Sequence, residues 1–190
     1  MKKQRLPTLA GGKHARRPET KRKPFVPRAE RAPASRFVVA VVPGVLGDAP
    51  ALFAAQLLAA FTELGVPTAA LVTHDDAFAA HEAEAALAQL LQAGARQSTL
   101  VRALGTDART ELGRALEAVP PTQLLLALGH ALPMTYRVAF CVLVTGPHPA
   151  ASAEAAAADL VLASPTPRLA SDLARVLSGR FHREAASDPT

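Results

Sequence analysis

The stretch Arg36–Asp76, RFVVAVVPGVLGDAPALFAAQLLAAFTELGVPTAALVTHDD, decides the fold. Its first segment, 37–42, is a continuous apolar run rich in β-branched residues, as expected of a parallel strand covered on both faces. A short glycine-containing loop leads into a long apolar helical segment, and a second strand-like run spans residues 68–72. Strand, helix and strand in this order predict a βαβ unit, in which the first loop and the helix N-terminus commonly face a phosphate.

The helix of this unit has clear start and stop signals. Asp48 is predicted to cap it, while Gly65 and Pro67 are predicted to end it. One packed face is predicted from apolar residues at i, i+4, i+7, i+8 and i+11, namely Phe53, Leu57, Ala60, Phe61 and Leu64.

Further strands and helices alternate along the rest of the chain. We predict helices over 78–93 (core side Leu87, Leu90 and Leu91), 107–118 (capped by Thr106) and 151–157, and strands over 99–103, 123–128, 138–144 and 160–163. A last helix is predicted to be capped by Thr166, to begin at Pro167 and to end at Gly179, with Leu169, Leu173, Val176 and Leu177 facing the sheet. The alternation predicts a three-layer α/β/α domain with a mostly parallel sheet of about five or six strands.

Charge divides the chain into two parts. Residues 1–35 hold 11 of the 21 Lys and Arg residues and 2 of the 16 acidic residues, a net charge of +9 that leaves the rest at −4. This segment is rich in proline and poor in large apolar residues, so we predict a disordered basic tail. The domain is then 36–180, and residues 181–190 are predicted to be a frayed C-terminal tail.

Composition narrows the class of protein. No apolar run approaches the roughly 20 residues of a membrane span, and the basic N-terminus lacks the apolar stretch of a signal peptide. The single cysteine, Cys141, gives no internal disulfide framework and suits a reducing cytoplasm, where we expect the protein. Its strand neighbours predict that Cys141 points into the core.

Ligands of parallel α/β sheets sit at the carboxyl ends of the strands. That geometry selects a set of candidate ligand-binding residues: Gly44, Val45, Leu46, Gly47, Asp48, His74, Asp75, Asp76, Gly129, Thr145 and Gly146. His130 and His148 lie near strand ends too, but histidines in loops are commonly just solvated. His74, Asp75, Asp76 and His81 are residue types that bind metals, yet a capping role for Asp75 or Asp76 is the favoured interpretation.

The first loop lacks the groups that a working phosphate loop requires. Such a loop needs a lysine for the phosphates and a hydroxyl for Mg²⁺ after its glycines. Here Gly44 and Gly47 are present, but no lysine or hydroxyl occupies the required places, and Asp48 adds a negative charge. We therefore predict that this loop does not catalyse nucleoside triphosphate hydrolysis and assign no catalytic residue.

The arrangement resembles the MobB family of molybdopterin-guanine dinucleotide biosynthesis, which are P-loop GTP-binding accessory proteins. The family's loop lysine and two threonines fall on Ala49, Pro50 and Ala51 of this chain. The family's K-H-D motif matches residues 73–75 in two of three positions, and its A-G-A motif matches residues 93–95. Its late D-L-V-L-V-E-G strand is similar to residues 123–129, which keep the glycine and lack both acidic residues. The resemblance covers about residues 36–145.

The resemblance implies a P-loop NTPase-like fold and a role in molybdenum cofactor assembly or insertion, with a cofactor biosynthesis protein or a molybdoenzyme as partner. GTP and Mg²⁺ are implied only if the family function is retained. One hypothesis is thus a non-hydrolysing or weakly nucleotide-binding accessory protein. The alternative is an adaptor whose basic tail binds nucleic acid or an acidic protein. An enzyme acting at the edge near Gly44 and His74 stays open, since this fold hosts many chemistries.

Overall fold

The computed structural model describes residues 32–44, 47–74, 80–103, 107–146 and 152–187. The predicted disordered tail up to residue 31, the capping roles of Asp75, Asp76 and Thr106, and the position of His148 lie outside the described residues. The strands are β1 (Ala32–Pro33), β2 (Val38–Pro43), β3 (Thr68–His74), β4 (Gln97–Arg102), β5 (Leu124–Leu128), β6 (Tyr136–Arg137), β7 (Phe140–Val144) and β8 (Leu160–Leu162). The helices are α1 (Ala49–Glu63), α2 (Ala80–Gln92), α3 (Ala108–Ala118), α4 (Ala131–Thr135), α5 (Ser152–Ala157) and α6 (Pro167–Ser187).

Six strands form one sheet in the order β4-β3-β5-β2-β7-β8, and all of its pairs are parallel. The predicted α/β architecture is therefore confirmed, with six strands. Strands β1 and β6 form a separate parallel pair in which Pro33 lies opposite Arg137. This pair holds residues 32 and 33 against the domain. The folded part therefore begins earlier than residue 36, which was the predicted start.

The helices divide between the two faces of the sheet according to the direction in which the chain moves. Helices α1 and α2, which carry the chain towards β4, pack with α6 on one face. Helices α3, α4 and α5, which carry it towards β8, pack on the other face. When all strand–helix–strand connections have the same handedness, connections that run in opposite directions along the sheet place their helices on opposite faces. Strand residues alternate between the two cores, as shown by Val39 and Val41 on the α1 face and Val38 and Ala40 on the α3 face.

The last helix departs most from its prediction. Its start is confirmed, because the Leu169 amide donates to Thr166 Oγ1 at 3.3 Å. The predicted end at Gly179 and the predicted tail from residue 181 are wrong, since α6 continues to Ser187. Phe181 is buried, and its ring meets Phe37 edge-on with centroids 5.7 Å apart. Burying a phenylalanine outweighs the roughly 1 kcal/mol that a glycine costs inside a helix.

Three leucine or valine positions predicted as core are exposed instead. Leu64 is 43%, Leu91 48% and Val176 63% exposed. Leu64 follows the last residue of α1, where the chain has already turned away. Leu91 and Val176 each lie one residue beside the buried stripe of their helix, and a single helical step is about 100°. The apolar stripe of α3 is buried, and it consists of Leu112, Ala115, Leu116 and, just after the helix, Val119.

Among the helices of the described ranges, none is both long and apolar enough to cross a bilayer. Cys141 is buried, as predicted, and its amide donates to Asp159 Oδ2 at 2.8 Å. The Asp159 amide in turn donates to the Cys141 carbonyl at 2.8 Å, which ties the start of β8 to β7.

The Gly129→Ala variant is expected to lose about 3 kcal/mol or more of unfolding free energy. Gly129 has a φ of +124°, and an added Cβ would collide with Thr73 Oγ1, so backbone strain and overpacking act together. Gly65→Ala is the matched control, because its φ is +71° but nothing lies within 4 Å of the added Cβ. It should lose only about 1–2 kcal/mol. Urea unfolding measures both variants. If Gly129→Ala and Gly65→Ala lose the same unfolding free energy, the contact with Thr73 does not add to the cost.

The Phe181→Ala variant is expected to lose about 3–5 kcal/mol of unfolding free energy, because Phe181 is buried against Phe37. Val176→Ala, on the exposed side of the same helix, should change stability by less than about 0.5 kcal/mol. Denaturant unfolding followed by circular dichroism measures both. A near-neutral Phe181→Ala variant would mean that the end of α6 does not pack on the domain.

Candidate functional site

The predicted site residues that the structure describes do meet at one edge of the sheet. Strands β3, β5, β2 and β7 are neighbours and parallel, so His74, Gly129, Gly44 and Thr145 follow each other along the carboxyl edge. Gly47, Asp48 and Gly146 belong to the loops that leave this edge. Val45, Leu46, Asp75 and Asp76 lie outside the described residues.

The boundary between β2 and β7 is a topological switch point. From β2 the chain moves through α1 towards β3, and from β7 it moves in the opposite direction to β8. Ligands of open α/β sheets bind in the crevice that forms at such a point. The geometry of the glycines and amides here therefore decides what the edge can hold.

The Gly44 amide is engaged by the sheet. It donates to the Val144 carbonyl at 2.8 Å, so the β2–β7 pairing continues into the loop. A Cβ on Gly44 would lie 3.0 Å from both Leu143 Cδ1 and the Val144 oxygen, which explains why glycine stands here. Gly47 has a φ of +113° with open space around it, so its role is conformational.

Two further amides and one hydroxyl of this edge have internal partners. The Gly129 amide donates to the Val41 carbonyl at 3.0 Å, and the Thr145 amide to the Leu162 carbonyl at 2.9 Å. Thr145 is buried, and its hydroxyl lies 3.3 Å from the same Leu162 oxygen. The His74 carbonyl accepts the Ala103 amide at 2.9 Å. These groups are used to hold strand ends together.

Asp48 stands at the N-cap position of α1, but its side chain makes no capping hydrogen bond. Its backbone is helical, with φ −80° and ψ −13°, whereas a capping residue normally has extended angles. The predicted position of Asp48 at the start of α1 is thus correct, and the predicted capping hydrogen bond is wrong. The first turn of α1 contains no acidic residue, and Asp48 is exposed beside it. Its carboxylate therefore occupies the electropositive end of the helix.

A small cavity of about 250 Å³ lies between the start of α1 and one side of α2. Its floor is alanine, and its polar lining residues are Asp48, His81, Glu82 and Gln89. None of the described residues that line it is a lysine or an arginine. The two carboxylates, Asp48 and Glu82, make the cavity less favourable for a phosphate than for a cation or a hydrogen-bond donor.

Glu82 and Gln89 were not among the candidate residues predicted from the sequence, although both lie within the predicted helix over 78–93. The seven-residue spacing between them, about two helical turns, was the available signal. The missing information was that α2 lies directly beside the first turn of α1. Only the sheet order, with both helices on one face, brings them together.

His130 is the N-cap residue of α4, and its Nδ1 atom is buried without a hydrogen-bond partner in the described part of the chain. It follows Gly129 at the carboxyl end of β5, next to the strand end of β2. The described ranges contain no group of three His, Cys, Asp or Glu side chains that could hold a metal ion.

A GTP–Mg²⁺ complex, which the family resemblance implies, does not fit the described residues. The Gly44 amide is bonded within the sheet, the places of the lysine and hydroxyls hold Ala49, Pro50 and Ala51, and Asp48 adds a negative charge. No step of nucleotide chemistry follows from this arrangement. Comparison of the chain with protein-family models, with curated proteins and with solved structures found no match.

Proposed function

We propose that this protein is a non-hydrolysing accessory protein in which the loop at residues 43–50 is a structural connection. The hydrogen bond from Gly44 to the Val144 carbonyl carries the proposal, together with the crowding that a Cβ on Gly44 would meet from Leu143 and Val144. An amide that belongs to the sheet is not offered to an anion. The carboxylates beside the loop, Asp48 and Glu82, oppose phosphate in the same sense.

The MobB resemblance gives this proposal its biological setting. A relative that has lost the phosphate loop keeps a scaffold that can contact a partner protein. Under this proposal the protein assists the assembly or insertion of a guanylylated molybdenum cofactor, and its partner is a cofactor biosynthesis protein or a molybdoenzyme. The single buried cysteine agrees with a reducing cytoplasm, where the proposal places the protein.

Isothermal titration of the full chain with GTP, GDP and Mg²⁺ tests the proposal. We expect no Mg²⁺-dependent turnover. The dissociation constants for GTP and GDP should exceed about 100 μM, which corresponds to a binding free energy weaker than about −5.5 kcal/mol. Where weak binding is measured, Asp48→Asn should strengthen it because a charge at the helix start is removed. Glu117→Gln, at the far end of α3, removes the same charge and should change nothing. Micromolar, Mg²⁺-dependent binding or robust turnover by the wild-type protein would overturn the proposal.

A second candidate function is an adaptor that binds an anionic partner through its basic N-terminal residues. The observation that favours it is the charge distribution, with +9 in residues 1–35 and −4 in the remainder. Because β1 pairs with β6, this segment joins the domain at a defined place, beside Arg137 at the amino end of β7. The anionic partner is a nucleic acid or an acidic protein.

Neutralising three tail charges in the full chain, Lys21→Gln, Arg22→Gln and Lys23→Gln, tests the second candidate. Binding to an RNA of about 20 nucleotides should weaken, and the dependence of log affinity on log salt should flatten by about 2 units, at roughly 0.7 per contact. The matched control removes three exposed arginine charges from the carboxyl edge, Arg102, Arg109 and Arg168. If both variants lose affinity equally, binding follows net charge and the tail has no specific role.

A further inference from the structure

Strand β4 lies at one end of the six-stranded sheet, and in the described part of the chain its outer side has no strand neighbour. It contains 6 residues, whereas β8 at the other end of the sheet contains 3. An unpaired strand offers a row of backbone donors and acceptors to another strand. Strand β4 is therefore the more extensive of the two edges for a partner.

The direction of the backbone groups along β4 follows from its pairing with β3. The Ala103 amide donates to the His74 carbonyl at 2.9 Å, and the register between the two strands is uniform along the whole of β4. The N–H and C=O groups of one strand residue point to the same side, and successive residues alternate between the two sides. Ser98, Leu100 and Arg102 therefore direct these groups away from β3, to the open side.

Two exposed leucines flank this edge on one face of the sheet. Leu100 is 38% exposed, and it lies on the face that α2 covers because its neighbour Val101 packs in the core on the α3 face. Leu91 of α2 is 48% exposed. It is one helical step from the buried Leu90, on the side opposite Gln89, which lines the cavity against α1. Both leucines therefore lie beside the open edge of β4.

We propose that two copies of this protein pair through β4, with the two strands antiparallel and related by a two-fold axis, so that one sheet continues across both copies. A two-fold interface uses the same surface of each copy, so the edge needs no other partner to complete it. The inference goes beyond the accessory role proposed above and does not depend on it.

The charges at the two ends of β4 select the register of this pairing. When the axis passes beside Leu100, this residue lies opposite its own copy, and Ser98 lies opposite Arg102 of the second copy. All three residues direct their backbone groups to the open side, so each pair exchanges both of its hydrogen bonds. With the axis at Thr99, Arg96 would lie opposite Arg102, and like charges directly opposite are destabilising. The pairing centred on Leu100 is therefore favoured.

The side of the domain around β4 is large enough for a weak dimer. Helix α2 has 13 residues and is about 20 Å long, and two helix layers with the sheet between them are about 25 Å thick. These dimensions give about 500 Å² for each copy and about 1,000 Å² in total, which is near the lower limit for a specific interface. A dissociation constant in the micromolar range is therefore expected.

A second copy suits this edge better than the basic N-terminal residues do. Arg96 and Arg102 stand at its two ends, and both would repel a segment with a net charge of +9. Residues 1–35 also contain 5 prolines, which cannot donate to a strand ladder. A second copy instead removes Leu91 and Leu100 of both chains from water, which is favourable for apolar surface.

Sedimentation velocity of the full chain between about 1 and 200 μM tests the inference. We expect a concentration-dependent shift from the 19.8 kDa monomer to twice that mass. Leu100→Lys should weaken dimerisation by about 10-fold or more, because two ammonium groups then face each other across the axis. Leu91→Lys should weaken it about 3- to 10-fold, since a charge replaces an apolar contact. A wild-type protein that is monomeric at the highest concentration overturns the inference.

Matched controls carry the same charge outside the proposed interface. Val161→Lys changes the other edge strand at a residue that is 43% exposed, and Val176→Lys changes the exposed side of α6. Neither should alter the dimerisation constant. If Val161→Lys dissociates the dimer and Leu100→Lys does not, dimerisation uses β8 and the inference is overturned. Circular dichroism checks that each variant is folded, and Leu91→Lys decides the matter if Leu100→Lys is not.

Cross-linking tests the register. A short bismaleimide should join two copies of Leu100→Cys, because the Cα atoms of a hydrogen-bonded antiparallel pair are about 5.5 Å apart. Val176→Cys, on the exposed side of α6, should not be joined. The native Cys141 is buried and does not compete. Equal cross-linking of the two variants, or none at position 100 in a protein that dimerises, contradicts pairing through β4.

Discussion

Strand β2 is hydrogen-bonded along both of its edges, to β5 and to β7, and five of its six residues are buried. Much of the molecule follows from this position. A parallel strand with neighbours on both sides and helices on both faces must be apolar throughout, and each return of the chain needs a helix. The same pairing reaches into the following loop through the Gly44 amide. The loop that looks like a phosphate site is thus partly an extension of the sheet.

The carboxyl edge combines the topology of a ligand site with unsuitable chemistry for a nucleotide. Chain direction reverses between β2 and β7, yet the Gly44 amide is bonded to the Val144 carbonyl, and Leu143 and Val144 crowd the Cβ side of Gly44. The cavity lies to the side, between α1 and α2, and carboxylates line it. An α/β scaffold with carboxylates, and no phosphate-loop lysine, near its first strand end is better suited to protein contact than to a nucleotide. This is the basis of the accessory role that we propose.

The two ends of the sheet differ in how their charges are arranged. Asp48 and Glu82 stand at the carboxyl edge, while the amino edge holds arginines oriented by backbone carbonyls and receives the basic N-terminal residues. Parallel topology makes this separation possible, because every strand start is at one end and every strand end at the other. Two partners of opposite charge could occupy the two ends without competing, so the accessory and adaptor roles are compatible.

The amino-acid sequence by itself determined the layers, the number and direction of the strands, and the absence of a lysine and a hydroxyl from the first loop. Apolar runs, helical periodicity and the residues of one loop are local properties. The sequence did not determine the end of α6, where Phe181 reaches Phe37 across more than a hundred residues of chain, or the exposure of Leu91 and Val176. Nor did it reveal that α2 lines the cavity beside the first turn of α1. Those features depend on which strands are neighbours, and strand order is set by packing between distant segments, a constraint that only the tertiary structure expresses.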